Sequence, residues 1–239
     1  MRSRAESLAR VRGRSYLAVI AWLAVAAGCR SGPPPLAPDA LAFAPLGAEA
    51  LAEASRRTVP SQRELITLRW RFADPTLEAS GRGAARFAPP DSLRIDVRGP
   101  LGFGRGTLVL AGDSVWADPE SMVTQVMPAR FLVWAMMGVL RAPPAGDRVE
   151  AAEADGRRFV RIVEAAGRAT TFELHGDTVV GAVQARGGRR VGRLVLRRDA
   201  AGRVRRAEAE DAERNARLVF DIERRTPGAA FPDAVWRRP

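Results

Sequence analysis

From Glu64 onward, apolar and polar residues alternate with a period of two. Ile66, Leu68, Trp70 and Phe72 alternate with Thr67, Arg69 and Arg71, and Leu93, Ile95 and Val97 with Arg94, Asp96 and Arg98. Phe172 and Leu174 alternate with Thr171, Glu173 and His175, and Leu218, Phe220 and Ile222 flank Val219 and Asp221. Strict alternation marks strands with one dry and one wet face. Turn signals separate the blocks, among them Ala88-Pro89-Pro90-Asp91, Ala111-Gly112-Asp113, His175-Gly176-Asp177 and Arg186-Gly187-Gly188. The spacing predicts about eleven short strands. They would form one large antiparallel sheet, strongly curved and incompletely closed.

One stretch breaks the period. Pro119–Arg141 is rich in helix formers and predicts a short helix at 120–126 and a second at 128–140, with Pro128 in a first turn, where proline is tolerated. The second is apolar nearly all round: Phe131, Leu132, Val133, Trp134, Met136, Met137, Val139 and Leu140. Such a helix must be covered on most sides, and at 13 residues it is too short to cross a bilayer, which takes about 20. Its natural seat is the concave face of the curved sheet.

The N-terminal part reads differently. Arg2, Arg4, Arg10, Arg12 and Arg14 precede the apolar run Tyr16–Gly28, which ends Ala26-Ala27-Gly28-Cys29. Basic residues, a short apolar segment and small residues at a cleavage point make a secretory signal at 1–28. Cys29, the one cysteine, resembles the acylated cysteine of a bacterial lipobox, although Ala26 stands where that motif prefers Leu. The alternative is an ordinary signal with an incidental cysteine. Residues 29–60, with Pro33, Pro34, Pro35, Pro38 and Pro45, read as a lipidated tether holding a short helix at 47–57 on which Leu51 and Ala54 share a face. Residues 61–239 then form the sheet domain.

Composition changes this picture little. The 239 residues are 46% hydrophobic and 27% charged, enough to bury a core. The formal charge is +11; residues 1–28 hold five Arg and one Glu, so the remainder carries +7. No lysine occurs, and the arginines are spread over many strands. The plain reading is a GC-rich genome that spells its basic residues as Arg; attraction to anionic lipid head groups is the functional alternative, ahead of nucleic acid as a partner. Candidate chemistry is sparse. His175 is the single histidine and lies on the polar face of its strand, so a Ser-His-Asp site or a zinc cluster cannot be assembled. Gly102-Phe103-Gly104-Arg105-Gly106 precedes a strand, not the helix a phosphate loop needs. No carboxylate pair stands out. The expectation is a protein that is not an enzyme and has no metal or cofactor beyond acylation at Cys29.

Three blocks carry a family resemblance. Arg94-Ile95-Asp96-Val97-Arg98-Gly99-Pro100-Leu101-Gly102, Asp113-Ser114-Val115-Trp116-Ala117-Asp118-Pro119 and Met127-Pro128-Ala129-Arg130-Phe131-Leu132-Val133-Trp134-Ala135-Met136-Met137-Gly138 resemble, in order and spacing, segments of LolA/LolB-like proteins, closest to the LolB-type lipoprotein acceptors. The match spans residues 64–145. It implies an incompletely closed β-barrel with a helical plug, and a hydrophobic cavity whose candidate lining is Trp70, Phe72, Leu93, Ile95, Phe131, Trp134 and Met137. It also implies a protruding loop, here Leu101 beside Phe103, that helps deliver cargo to a membrane. Ordinary core packing fits the same lining residues, and a turn packed inward fits the same loop. The function implied is a monomeric, lipid-anchored protein that binds acyl chains or lipoproteins. It would face the periplasm from the outer membrane of a Gram-negative-type bacterium, an acylated lipoprotein as cargo and a periplasmic carrier as partner. Arg30, where an Asp would favour the inner membrane, fits that location. The alternative is a non-enzymatic envelope scaffold with the same fold and a filled core.

Overall fold

A computed structural model describes residues 40–99, 104–112, 114–119, 130–143 and 146–236. Cys29, Leu101, Phe103 and the helix expected at 120–126 lie outside the described residues.

Among the described residues, thirteen antiparallel strands form a single sheet. In chain order they are β1 (Ala44–Pro45), β2 (Glu64–Ala73), β3 (Glu78–Ala88), β4 (Ser92–Arg98), β5 (Arg105–Ala111), β6 (Ser114–Asp118), β7 (Arg148–Ala154), β8 (Arg157–Val163), β9 (Arg168–His175), β10 (Thr178–Arg186), β11 (Arg189–Arg198), β12 (Val204–Asp211) and β13 (Ala216–Pro227). Their order across the sheet is β1-β7-β8-β9-β10-β11-β12-β13-β2-β3-β4-β5-β6, so β2–β6 and β7–β13 are two meanders joined where β13 pairs with β2. The sheet is not closed: β1 and β6 are its edges. Register shifts in β10, β11 and β13, as at Ile222/Arg224, bend the strands.

Two α-helices complete the described fold: α1 (Ala48–Thr58) and α2 (Arg130–Met136). The topology explains where α2 sits. The chain leaves β6, one edge of the sheet, and must reach β7, the strand next to the opposite edge. Helix α2 lies on that path and is buried, packed against β10, β11 and β12 on one side and Phe87 of β3 on another. The strands therefore curve around it, and the faces of Ile66/Leu68/Phe72, Leu93/Ile95, Phe172/Leu174 and Leu218/Phe220/Ile222 join it in one core.

Two expectations change. The described residues hold thirteen strands against about eleven expected: β1 is two residues long, and Gly81 and Gly83 of β3 and Ala151 of β7 stand at inward positions, which weakens the apolar alternation there. The supposed tether is partly folded body. Pro45 and Ala44 pair with Glu150 and Ala151, the Leu46 N–H donates to the Val149 carbonyl at 2.9 Å, and α1 buries Leu51, Ala54 and Ser55. Helix α1 thus forms within one residue of the predicted bounds, with Glu49 in its first turn and Arg56 and Arg57 in its last, matching the helix dipole. Helix α2 ends at Met136, before the expected Leu140, because Gly138 at φ +90° unwinds the chain, while the expected start at 128 lies outside the described residues. Gly138 N–H donates to Ala135 O at 2.8 Å and Val139 N–H to Trp134 O at 3.1 Å, which satisfies the last carbonyls.

Candidate functional site

The interior of the curved sheet is the site the sequence predicts, and α2 occupies it. Phe131 through Leu140 are all buried. The Trp134 indole meets Phe87 edge to face, with ring centroids 5.8 Å apart and planes at 89°, an arrangement that aligns the ring edge with the facing π-cloud. The Arg141 guanidinium sits 5.7 Å from the Trp134 ring centroid and 3.9 Å from the Asp91 carboxylate.

Six of the seven predicted lining residues converge here. Phe72, Leu93, Ile95, Phe131, Trp134 and Met137 belong to one cluster and are at most 4% exposed. The seventh, Trp70, packs against the margin of that cluster and stays partly exposed. Its indole lies over Gly81, where there is no side chain to displace it, and its Nε1–H donates to the Arg98 carbonyl at 3.2 Å. In this conformation the lining residues and the plug fill the space between them. One polar spot interrupts it: Gln184 Nε2 donates to Thr170 Oγ1 at 3.1 Å, and both residues are buried.

Sequence reasoning missed the groups that hold the plug. The Leu140 N–H donates to Thr58 Oγ1 at 2.9 Å, and the Ser55 hydroxyl donates to the Leu140 carbonyl at 2.6 Å. Arg198 shares the inward parity of Leu194 and Leu196 and closes in on the end of α2. Its Nη1 donates to the Gly202 carbonyl at 2.6 Å and its Nη2 to the Val179 carbonyl. Burial, with Arg225 nearby, lowers the Arg198 guanidinium below its ordinary range, against the opposing pull of Asp199. Arg225 itself pairs with Glu64 at 2.7 Å with both side chains largely buried. A charged residue at an apolar parity position was the available signal for Arg198.

The outer face is polar and ion-paired. Asp96 accepts from Arg94 Nε at 2.9 Å and from Thr107 Oγ1 at 2.9 Å, and it also pairs with Arg86. Burial raises its carboxyl, but these three partners outweigh burial and hold it below the ordinary carboxylate range. The C-terminal segment packs here and not across the mouth of the sheet. The short 3₁₀ helix Asp233–Trp236 lies against β4, Arg94 Nη1 donates to the Val235 carbonyl at 2.8 Å, and Phe231 stacks edge to face on Trp236 at 6.0 Å. His175 is exposed at the end of β9. Around the loop implied to insert into membranes, the structure describes the frame alone: the Gly99 N–H donates to the Gly104 carbonyl at 2.9 Å. Among the described residues, no helix is long and apolar enough to cross a membrane.

No protein-family model matches the chain, and no curated protein matches it in sequence. Solved structures do match in fold. A LolA superfamily protein from Nitrosomonas europaea superposes with a TM-score of 0.52 at 14% identity, covering 81% of this chain and 98% of that one. A putative outer membrane lipoprotein-sorting protein domain from Vibrio parahaemolyticus superposes with a TM-score of 0.52 at 7% identity, covering 78% of this chain and 94% of that one. An incompletely closed antiparallel sheet wrapped on a small helical part is common to them, and this chain has the LolA-like fold.

Proposed function

We propose that this protein is a lipid-anchored, non-catalytic envelope protein that takes acyl chains, or the acylated end of a lipoprotein, into the interior now filled by α2. The observation that carries this reading is the plug. A helix apolar from Phe131 onward and ended by Gly138 sits inside a sheet with two unjoined edges, so it is a removable part of the core in a way that a strand is not. Its departure would expose Phe87, Leu93, Ile95 and Phe72, an acyl-sized apolar lining. Met136 and Met137 suit such exchange, because methionine repacks around varied shapes. Acylation at Cys29 would hold the body at the membrane, with no other cofactor, and Leu101 and Phe103 would meet the bilayer during transfer. Residence in the outer membrane, a periplasmic carrier as donor and a monomeric state complete the proposal. The likeness in fold to a lipoprotein-sorting domain supports it.

A second reading, an envelope scaffold with a permanently filled core, is favoured by one observation. Every predicted lining residue except Trp70 is already fully packed. Native mass spectrometry separates the two. Lipid that co-purifies with the chain, or a saturable adduct with an acylated peptide, supports the acceptor. A folded chain that takes up neither leaves the scaffold.

A further inference from the structure

The strongest unassigned feature is electrostatic. Register places one row of directly opposed residues across seven strands of the outer face: Arg197, Arg206, Asp221, Arg69, Arg82, Arg98 and Arg105. Six of the seven are arginine. Like charges directly opposed on neighbouring strands destabilise a sheet, so a fold that keeps them in line calls for an anion to lie between them.

The row is not uniform. Arg206 pairs with Asp221 at 2.8 Å and Arg69 with Glu223 at 2.5 Å, so the middle is neutralised. The β3–β5 end is not. There Arg82, Arg98 and Arg105 have no carboxylate partner among the described residues, and they wall a groove of about 680 Å³. The groove's one acid, Asp96, is already consumed by Arg86, Arg94 and Thr107. Pro232 and Val235 of the C-terminal segment form one side, fixed by the Arg94 bond to the Val235 carbonyl. A groove with a fixed wall and three guanidiniums without carboxylate partners distinguish this end from a merely charged surface.

We infer that this groove is a binding site for a phosphate group, supplied by the head group of an anionic phospholipid. Guanidiniums present paired N–H donors that match phosphate oxygens bidentately, and directly opposed residues on neighbouring strands have Cβ atoms about 5 Å apart, so two such side chains can reach one phosphate. The lipid source follows from position. Arg98 and Arg105 are the last residue of β4 and the first of β5, and the sequence between them includes Leu101 and Phe103. In the sequence, a connection holding two apolar residues between two arginines matches the neighbouring acyl and phosphate layers of a leaflet. The inference shares with the reading above only that this hairpin faces a bilayer; it does not require acyl chains in the interior.

The test uses the chain with Cys29→Ser, so that an acyl anchor cannot mask the result. Flotation with phosphatidylcholine vesicles is compared with flotation on vesicles that also contain phosphatidylglycerol. The expected result is binding to the second kind only, weakened about tenfold or more by Arg98→Gln with Arg105→Gln, and in the same direction by Arg82→Gln alone. The pair Arg189→Gln with Arg190→Gln removes equal charge from the exposed start of β11 and should leave binding nearly unchanged. Glycerol phosphate should displace the unsubstituted chain from vesicles. Equal weakening by both pairs, equal binding to both kinds of vesicle, or no vesicle binding would overturn the proposal. Saturable binding of glycerol phosphate without vesicle binding would overturn the lipid source. Unchanged circular dichroism melting of each variant excludes misfolding as the cause.

Discussion

The Ser55 hydroxyl donates to the Leu140 carbonyl at 2.6 Å across 85 residues of chain, tying the end of the plug segment to α1. Thr58, one turn further along α1, accepts from the N–H of the same Leu140, and its hydroxyl donates to the Ser55 carbonyl at 2.8 Å. Both backbone polar groups of Leu140 are thereby satisfied by a helix whose own position depends on burying Leu51 and Ala54. The segment before the first long strand is, through this clamp, part of how the interior is held shut.

The clamp predicts unequal effects of two small substitutions. Thr58→Val leaves the Leu140 N–H buried without a partner, which costs about 1–3 kcal/mol. Ser55→Ala removes a donor from a carbonyl that loses one of two possible bonds, and should cost less. Urea unfolding midpoints of the two variants measure this. Equal stability of Thr58→Val and the unsubstituted chain would show that water or another donor takes over.

Gly138 ends α2 at φ +90°, a region L-residues rarely adopt. Gly138→Ala should destabilise by about 1–2 kcal/mol from the backbone alone. A further loss should come from crowding, because the new Cβ would lie 3.0 Å from Val204 Cγ2 and 3.3 Å from Arg198 Nη2. Val204→Ala added to Gly138→Ala should recover the second part and not the first. A thermal melt of the three variants separates the contributions, and complete recovery would mean that backbone strain at Gly138 is negligible.

The sequence carried the strand faces, the helical interruption and its burial because each is a local pattern: parity in β2, β4, β9 and β13, and an unbroken apolar surface at Phe131–Leu140. It did not carry β3. That strand reads Glu-Ala-Ser-Gly-Arg-Gly-Ala-Ala-Arg-Phe-Ala, and its inward places at Gly81 and Gly83 are filled from the next strand by Trp70 and Leu68. Volume supplied by a neighbour leaves no trace in a strand's own hydropathy. The Ser55–Leu140 clamp was hidden for a related reason, since both partners are ordinary residues and only tertiary packing brings them together. Six of the seven expected cavity residues do meet in space, and the structure shows them filling it.

Gly81 should therefore be among the least replaceable residues of the described sheet. A Cβ there would fall 1.9 Å from the Arg98 carbonyl oxygen and 2.9 Å from Trp70 Nε1. The first obstacle is backbone, so β3 and β4 would have to part. Gly81→Ala is expected to cost at least about 3 kcal/mol, at the upper end of overpacking penalties. Trp70→Ala in the same chain should not rescue it, because the indole is the lesser obstacle. Rescue by Trp70→Ala, read from the denaturation midpoint, would show that the strands can separate cheaply.

Asp96 gives the outer face an acid-sensitive element. Burial raises its carboxyl, and the bonds from Arg94 and Thr107 together with the Arg86 charge bring it below the ordinary carboxylate range. A carboxylate with a lowered folded-state pKa stabilises the fold at every pH above its unfolded value. That contribution disappears as the pH falls from the ordinary range through the lowered one. Asp96→Asn should accordingly cost about 1–3 kcal/mol near neutrality, because Arg86 and Arg94 lose their shared partner. On acidification the two stability curves should converge, the unsubstituted chain losing what the variant never had. Other carboxylates with lowered values, such as Asp74 and Asp199, titrate in both proteins and cancel in the difference. Paired urea titrations across the acid range test this. Curves that stay parallel down to strongly acid pH would mean that the arginines around Asp96 stabilise its charged and neutral forms alike.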